Sequence, residues 1–114
     1  MTHRVNIIVY PVKDKNVSKV LFSKYLGVEP YVDGAYYVGF RVGDQEIGLN
    51  PNAHLQGVTT PIAYIDVTDI KASLQTLVEA GAQVQQDATD VGGGLLVATV
   101  KDVDGNILGL RQSP

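Results

Sequence analysis

Ile7-Ile8-Val9-Tyr10-Pro11-Val12-Lys13-Asp14 and Ile62-Ala63-Tyr64-Ile65-Asp66-Val67-Thr68-Asp69 are one phrase written twice. Each is an alternating strand that runs into a helix start, with Ile7 falling on Ile62, Val12 on Val67 and Asp14 on Asp69. Each half also closes on a short hairpin strand, Gln45-Glu46-Ile47-Gly48-Leu49 in the first and Asn106-Ile107-Leu108-Gly109-Leu110 in the second. A small unit that recurs within one chain predicts a pseudo-symmetric fold with a cavity shared between the copies. The residues lining that cavity carry the functional question.

Working outward from the first copy, alternation puts Val5, Ile7, Val9 and Pro11 on one face and Asn6, Ile8, Tyr10 and Val12 on the other. A helix is predicted over Val17–Leu26, capped by Asp14 or Asn16 and stopped by Gly27. Its stripe Val17, Val20, Leu21, Phe22, Tyr25 and Leu26 should face the sheet, with Ser18, Lys19, Ser23 and Lys24 toward water. Tyr36–Val42 and Gln45–Asn50 read as a hairpin on Gly43-Asp44. That turn sets Arg41 against Glu46, Gly39 against Gly48 and Tyr37 against Asn50. Tyr36, Val38, Phe40, Ile47 and Leu49 should then lie on the helix, leaving Tyr37, Gly39, Arg41, Glu46, Gly48 and Asn50 on the free face.

The second copy has a strand over Pro61–Val67 and a helix over Ile70–Ala80 with Ile70, Leu74, Leu77 and Val78 as its stripe. A short strand over Gln83–Gln86 follows, then Gly92-Gly93-Gly94 and a last hairpin, Leu95–Lys101 with Asn106–Gln112, turning on Asp102-Val103-Asp104-Gly105. On the facing side, Ile107, Gly109 and Arg111 should look into the cavity opposite Leu96, Ala98 and Val100. The expected organisation is a single domain over 1–114: module one 1–50, a polar linker 51–60 and module two 61–114. The fold class is α+β: two tandem βαβββ modules whose mixed sheet curls into a cup, with one helix per module outside.

Bulk properties narrow the function classes. The chain has 114 residues, 45% hydrophobic and 18% charged, which suits one globular domain. A net charge of −3 and a pI near 5.1 exclude a nucleic-acid partner as the main one, since phosphate binding needs clustered Lys and Arg. No run approaches the roughly 18 apolar residues of a membrane span. With no Cys there is no thiolate chemistry and no disulfide. Met1-Thr2-His3-Arg4 leads straight into a strand without the pattern of a signal peptide, so a cytoplasmic location is expected.

Several phrases taken in order resemble the vicinal oxygen chelate superfamily of glyoxalases, extradiol dioxygenases and bleomycin-resistance proteins. They are Val12-Lys13-Asp14, Tyr25-Leu26-Gly27, Asp69-Ile70 and, above all, Asp102-Val103-Asp104-Gly105-Asn106-Ile107-Leu108-Gly109-Leu110. The last is similar to that family's Asp-Pro-Asp-Gly-Asn hairpin with Val103 in place of Pro. The resemblance implies a cup made by two modules and a homodimer. In metal-dependent members it places a His or Gln on each opening strand, here Ile7 and Ile62. It places an oxygen ligand on each last strand, here Gly109 and, by the hairpin alignment, Gly48. None of the four offers a side-chain ligand, so neither metal nor another cofactor is expected.

The free-face residues then define a candidate ligand site: Ile7, Val9, Tyr37, Arg41, Gly48, Asn50, Ile62, Tyr64, Leu96, Ala98, Gly109 and Arg111. Its walls are apolar, its glycines are expected to leave floor space, and tyrosines and arginines stand near the rim. The expected function is sequestration of, or resistance to, a small aromatic or apolar molecule. The alternative is a metal-independent isomerase or lyase with Glu46 or Asp66 as general base, the two carboxylates that alternation sends to this face. Structural readings stand beside these. Tyr37 and Tyr64 could fill space, Arg41 with Glu46 could be a cross-strand ion pair, and Asp14 and Asp69 are helix caps. His3 and His54 are surface residues, and Gly92–Gly94 form a lip because a strand, not a helix, follows them.

Overall fold

Asp14 and Asp69 set the plan of both halves by ending a strand and starting a helix. In a computed structural model describing residues 2–114, the Asp14 carboxylate accepts from the Asn16 and Val17 amides, and Asp69 accepts from the Ala72 amide. The chain divides into two compact units, Asn6–Ile62 and Ala63–Pro114, the second joined by the residues up to Val5.

The first unit comprises β1 (Val5–Pro11), α1 (Lys15–Leu26), β2 (Val32–Asp33), β3 (Val38–Val42) and β4 (Gln45–Asn50), followed by a 3₁₀ turn at Ala53–Gln56. Its strands run in the order β2-β3-β4-β1, with β1 parallel to β4 and the other pairs antiparallel. The β3–β4 hairpin has the register expected from the Gly43-Asp44 turn: Val42 faces Gln45, Arg41 faces Glu46 and Gly39 faces Gly48. Val38, Phe40, Ile47 and Leu49 form the core with Ile8, Tyr10, Val12, Phe22, Leu26 and Val28. Tyr36 does not join them: the strand begins at Val38, and Tyr36 is exposed.

Helix α1 is rotated from its expected orientation. Val17, Val20, Leu21 and Tyr25 are 68, 55, 64 and 76% exposed, whereas Ser18, Lys19 and Ser23 are half-buried. Lys15 and Lys19, one turn apart, reach Asp33 at 3.1 and 2.6 Å, and Lys15 also donates to the Gly34 carbonyl at 2.9 Å. Phe22 and Leu26 of the expected stripe pack on the core, and Lys15 and Lys19 lie on that same side of the helix, while Val17, Val20, Leu21 and Tyr25 face outward.

The second unit holds β5 (Ile62–Asp66), α2 (Ile70–Glu79), β6 (Gln83–Asp90), β7 (Leu96–Lys101) and β8 (Ile107–Gln112). Their order is β5-β8-β7-β6, again with a parallel pair, β5 with β8, and antiparallel neighbours. Ile70, Leu74 and Leu77 of α2 pack with Val67, Ala98, Val100 and Leu110, while Val78 is largely exposed. β6 extends to Asp90, past its expected end at Gln86, with two register shifts along β7.

The last hairpin corrects two site assignments. Lys101 pairs with Ile107, so the loop is five residues long and includes Asn106. Asp102 draws Asn106 into the loop by accepting from its backbone amide at 2.8 Å and its side-chain amide at 2.9 Å. One residue of slip exchanges the two faces of a strand. Ala98 therefore pairs with Leu110 and Leu96 with Gln112; Ala98 lies in the helix-side core and Leu96 packs against it. Val97, Thr99 and Lys101 take the face that Leu96, Ala98 and Val100 were expected to occupy.

The modules share one internal register. Val9 partners Gly48, and Val9's counterpart Tyr64 partners Gly109. The repeat read from the strand phrases thus extends to the parallel strand pairing. Among the described residues, no helix is long and apolar enough to cross a membrane.

Candidate functional site

The side of each sheet away from its helix is built around glycine. In the first unit, Gly48 stands between Val9 and Gly39 on the neighbouring strands. A methyl group on Gly48 would collide with the Tyr37 ring and hydroxyl, and one on Gly39 would come within 2.8 Å of Tyr31 and 2.9 Å of Tyr37. The two glycines are thus the seat of two tyrosine rings. The floor space expected at Gly48 is filled by Tyr37.

The polar ends of those rings converge. The hydroxyls of Tyr31 and Tyr37 both donate to Oε2 of Glu46, the former at 2.7 Å. Arg41 lies with its guanidinium carbon 3.9 Å from the centroid of Tyr31, and its Nε is 3.9 Å from Glu46 Oε1. The Arg41 side chain is 63% exposed against 18% for Glu46, so the carboxylate sits beneath a lid of ring and guanidinium. Burial pushes the Tyr31 phenol above its ordinary value, its bond to the Glu46 carboxylate adds to this, and Arg41 partly offsets both. Arg41 with Glu46 is accordingly a cross-strand pair, as expected from the hairpin, with two phenols added.

The second unit repeats the seat with a different ring. Tyr64 lies over its parallel partner Gly109, close enough that a methyl group there would collide with three ring carbons. Aromatic cover of a strand glycine is a known device for protecting sheet backbone. On the next strand Thr99, which pairs with Gly109, is 3% exposed and donates its hydroxyl to Gln85 Oε1 at 2.7 Å. Arg111, two residues beyond Gly109, pairs with Asp66 on one side and Val97 on the other. Burial raises the Tyr64 phenol, and the Arg111 charge opposes that rise.

The remaining candidates fall into place around these two seats. Ile7 and Ile62 are buried at 5 and 6% exposure, and Val9 is half-buried. Asn50 serves a local purpose: its side-chain oxygen accepts from the Asn52 amide at 2.9 Å and starts the turn after β4. Asp66 is exposed at the end of β5. His3 and His54 are exposed, and Gly92–Gly94 make a hydrogen-bonded turn between β6 and β7. Sequence reasoning missed Tyr31, Thr99 and Gln85. Tyr31 lies outside the strands as they were assigned, Gln85 lies within the assigned Gln83–Gln86 strand but was given no role, and Thr99 was placed on the wrong face; the bare Gly39 was the available sign that a ring must cover it.

A divalent ion does not fit these residues. The family's ligand positions hold Ile7, Gly48, Ile62 and Gly109, and tyrosine rings occupy the space where side chains on the two glycines would begin. Among the described residues, no three His, Cys, Asp or Glu side chains gather as a ligand set.

Solved structures share this architecture at low sequence identity. A hypothetical protein from Bacillus halodurans C-125 matches over 100% of this chain and 96% of its own, with a TM-score of 0.78 and 15% identity. A glyoxalase/bleomycin resistance protein/dioxygenase superfamily member from Vibrio splendidus 12B01 matches over 98 and 100%, with a TM-score of 0.72 and 20% identity. Methylmalonyl-CoA epimerase from Mycobacterium tuberculosis matches over 96 and 88%, with a TM-score of 0.69 and 16% identity. No curated protein matches the sequence significantly. The strand–helix repeat, the paired parallel strands and the match of residues 4–110 to the family model lead to one assignment: the chain belongs to the glyoxalase/bleomycin resistance protein/dioxygenase superfamily.

Proposed function

We propose that this protein binds a small aromatic or apolar molecule, without a metal, on the tyrosine-bearing faces of its two modules, and that it acts by sequestration or resistance. The observation that carries this reading is the replacement at the family's ligand positions. Two isoleucines and two glycines stand there, and Tyr37 and Tyr64 lie over the glycines. A metalloenzyme face has thereby become an aromatic one, suited to stacking. Burying roughly 250 Å² of ligand at about 25 cal/mol/Å² contributes on the order of 6 kcal/mol before association costs, so the polar rim must supply the rest.

Glu46 is poorly disposed as a general base. Two phenols already donate to one of its oxygens and Arg41 stands beside the other, so the geometry supports a structural or ligand-orienting part for it. The test is a calorimetric titration with 2-naphthamide and related planar neutral compounds, each with 1 mM EDTA and with added Mn²⁺ or Zn²⁺. Equal binding in both conditions, weakened by Tyr64→Ala without loss of the folded state, is the expected result. Binding that appears only with metal would overturn the reading.

We propose further that the protein is a homodimer joined through α1. The exposed stripe Val17, Val20, Leu21 and Tyr25 adjoins a hollow of about 310 Å³ lined by Tyr10, Leu21, Phe22 and Tyr25. Val17, Leu21 and Tyr25 repeat at four-residue steps about Leu21, so an antiparallel crossing of two copies sets Val17 against the second Tyr25.

A further inference from the structure

Both modules seat a tyrosine ring on a glycine, yet they dispose of its hydroxyl differently. In the first unit the polar chemistry is consumed internally: two phenols share one oxygen of Glu46, and Arg41 stacks on Tyr31. In the second unit, the Tyr64 hydroxyl makes no hydrogen bond among the described residues. It lies on the same sheet face as Arg111, since Tyr64 pairs with Gly109 and Arg111 follows two residues later on that strand. Thr99, beside Gly109, gives its proton to Gln85 Oε1, which leaves the Gln85 amide nitrogen as a donor. Asp66, across the ladder from Arg111, is the acceptor on this face and is exposed at its edge. The face therefore offers a hydroxyl, a guanidinium and an amide, all able to donate, around an aromatic ring.

Resting on the binding function proposed above, we infer that the second module is the recognising half and that its preferred ligand is an aromatic or apolar acid, with Tyr64 and Arg111 holding the carboxylate. A guanidinium matches a carboxylate in shape and charge, and a phenol donates to it well. The first module has the phenols of Tyr31 and Tyr37 committed to Glu46. The assignment makes the two halves of the repeat chemically unequal, one closed on itself and one open to an anion.

A matched pair of probes separates this inference from the reading beneath it. 2-Naphthoate and 2-naphthamide have the same ring system and differ in charge. At pH 7 and low salt, calorimetry should show the acid binding at least about tenfold more tightly than the amide, with the preference shrinking in 0.5 M NaCl. Tyr64→Phe keeps the ring over Gly109 and removes the donor, and Arg111→Gln removes the charge. Each should weaken binding of the acid several-fold more than binding of the amide, so that the preference for the acid collapses, while the melting temperature stays in place. Equal affinity of the unaltered protein for acid and amide would overturn the acid-recognising role and leave the binding function standing. Binding of neither would overturn both.

Discussion

At the residue scale, the decisive positions are glycines, and their meaning comes from what covers them. Gly48 and Gly109 do not leave an open floor; Tyr37 and Tyr64 rest on their backbones. The contact is testable at Gly109. Gly109→Ala should destabilise the protein by about 1–3 kcal/mol, the range for an overpacked core, because its methyl group collides with the Tyr64 ring. Combining it with Tyr64→Ala removes the collision, so the double variant should be more stable than the sum of the single losses. Urea denaturation of the four proteins in a double-mutant cycle measures that coupling, and strict additivity would show that the ring does not rest on Gly109.

At the element scale, two features depart from the pattern along the chain. On helix α1, Lys15 and Lys19 are half-buried and both bind Asp33. The lysine hydrogen bonds, Lys19's first, hold the Asp33 carboxyl below its ordinary value. A depressed carboxyl contributes stability that is present above its unfolded value, about 4, and is lost as pH falls through the folded value. The urea midpoint should therefore decline as pH falls below about 4, and Asp33→Asn should flatten part of that decline while lowering the midpoint slightly at pH 7. An unchanged acid slope in the variant would show that the tether carries no linkage. The second departure is the five-residue loop at Asp102–Asn106. Asp102 and Asn106 advertised the turn, but its length depended on the Asp102 carboxylate accepting from both the backbone and the side-chain amide of Asn106, four residues on. The slip of one residue exchanged Ala98 for Thr99 on the candidate face.

At the scale of the whole molecule, the proposed dimer through the exposed α1 stripe is open to test. Leu21→Lys sits at its centre and is already 64% exposed, so the substitution should leave the melting temperature of the fold nearly unchanged. Sedimentation velocity should show the unaltered protein as a dimer and Leu21→Lys shifted to a monomer at the same concentration. A monomeric unaltered protein, or a dimer indifferent to this substitution, would refute the α1 contact.

The amino-acid sequence by itself determined the repeat, the helix starts at Asp14 and Asp69, the β3–β4 register and the absence of metal ligands at four positions. These depend on local chemistry: a two-residue turn, a capping carboxylate, a side chain that is or is not an oxygen donor. It misdirected the expectations that the whole α1 stripe would face the sheet and that Gly48 and Gly109 would leave open floor. Tertiary structure decided those points. An apolar stripe on a helix looks the same in sequence whether or not it meets its own sheet. Tyr31 and Tyr37 likewise acquire their shared partner through a hairpin that brings Glu46 beneath them. Contacts between residues 9 to 18 positions apart, such as Tyr37 with Glu46 and Lys15 with Asp33, have no periodicity to read. They exist because packing the core fixes where the backbone carries those side chains.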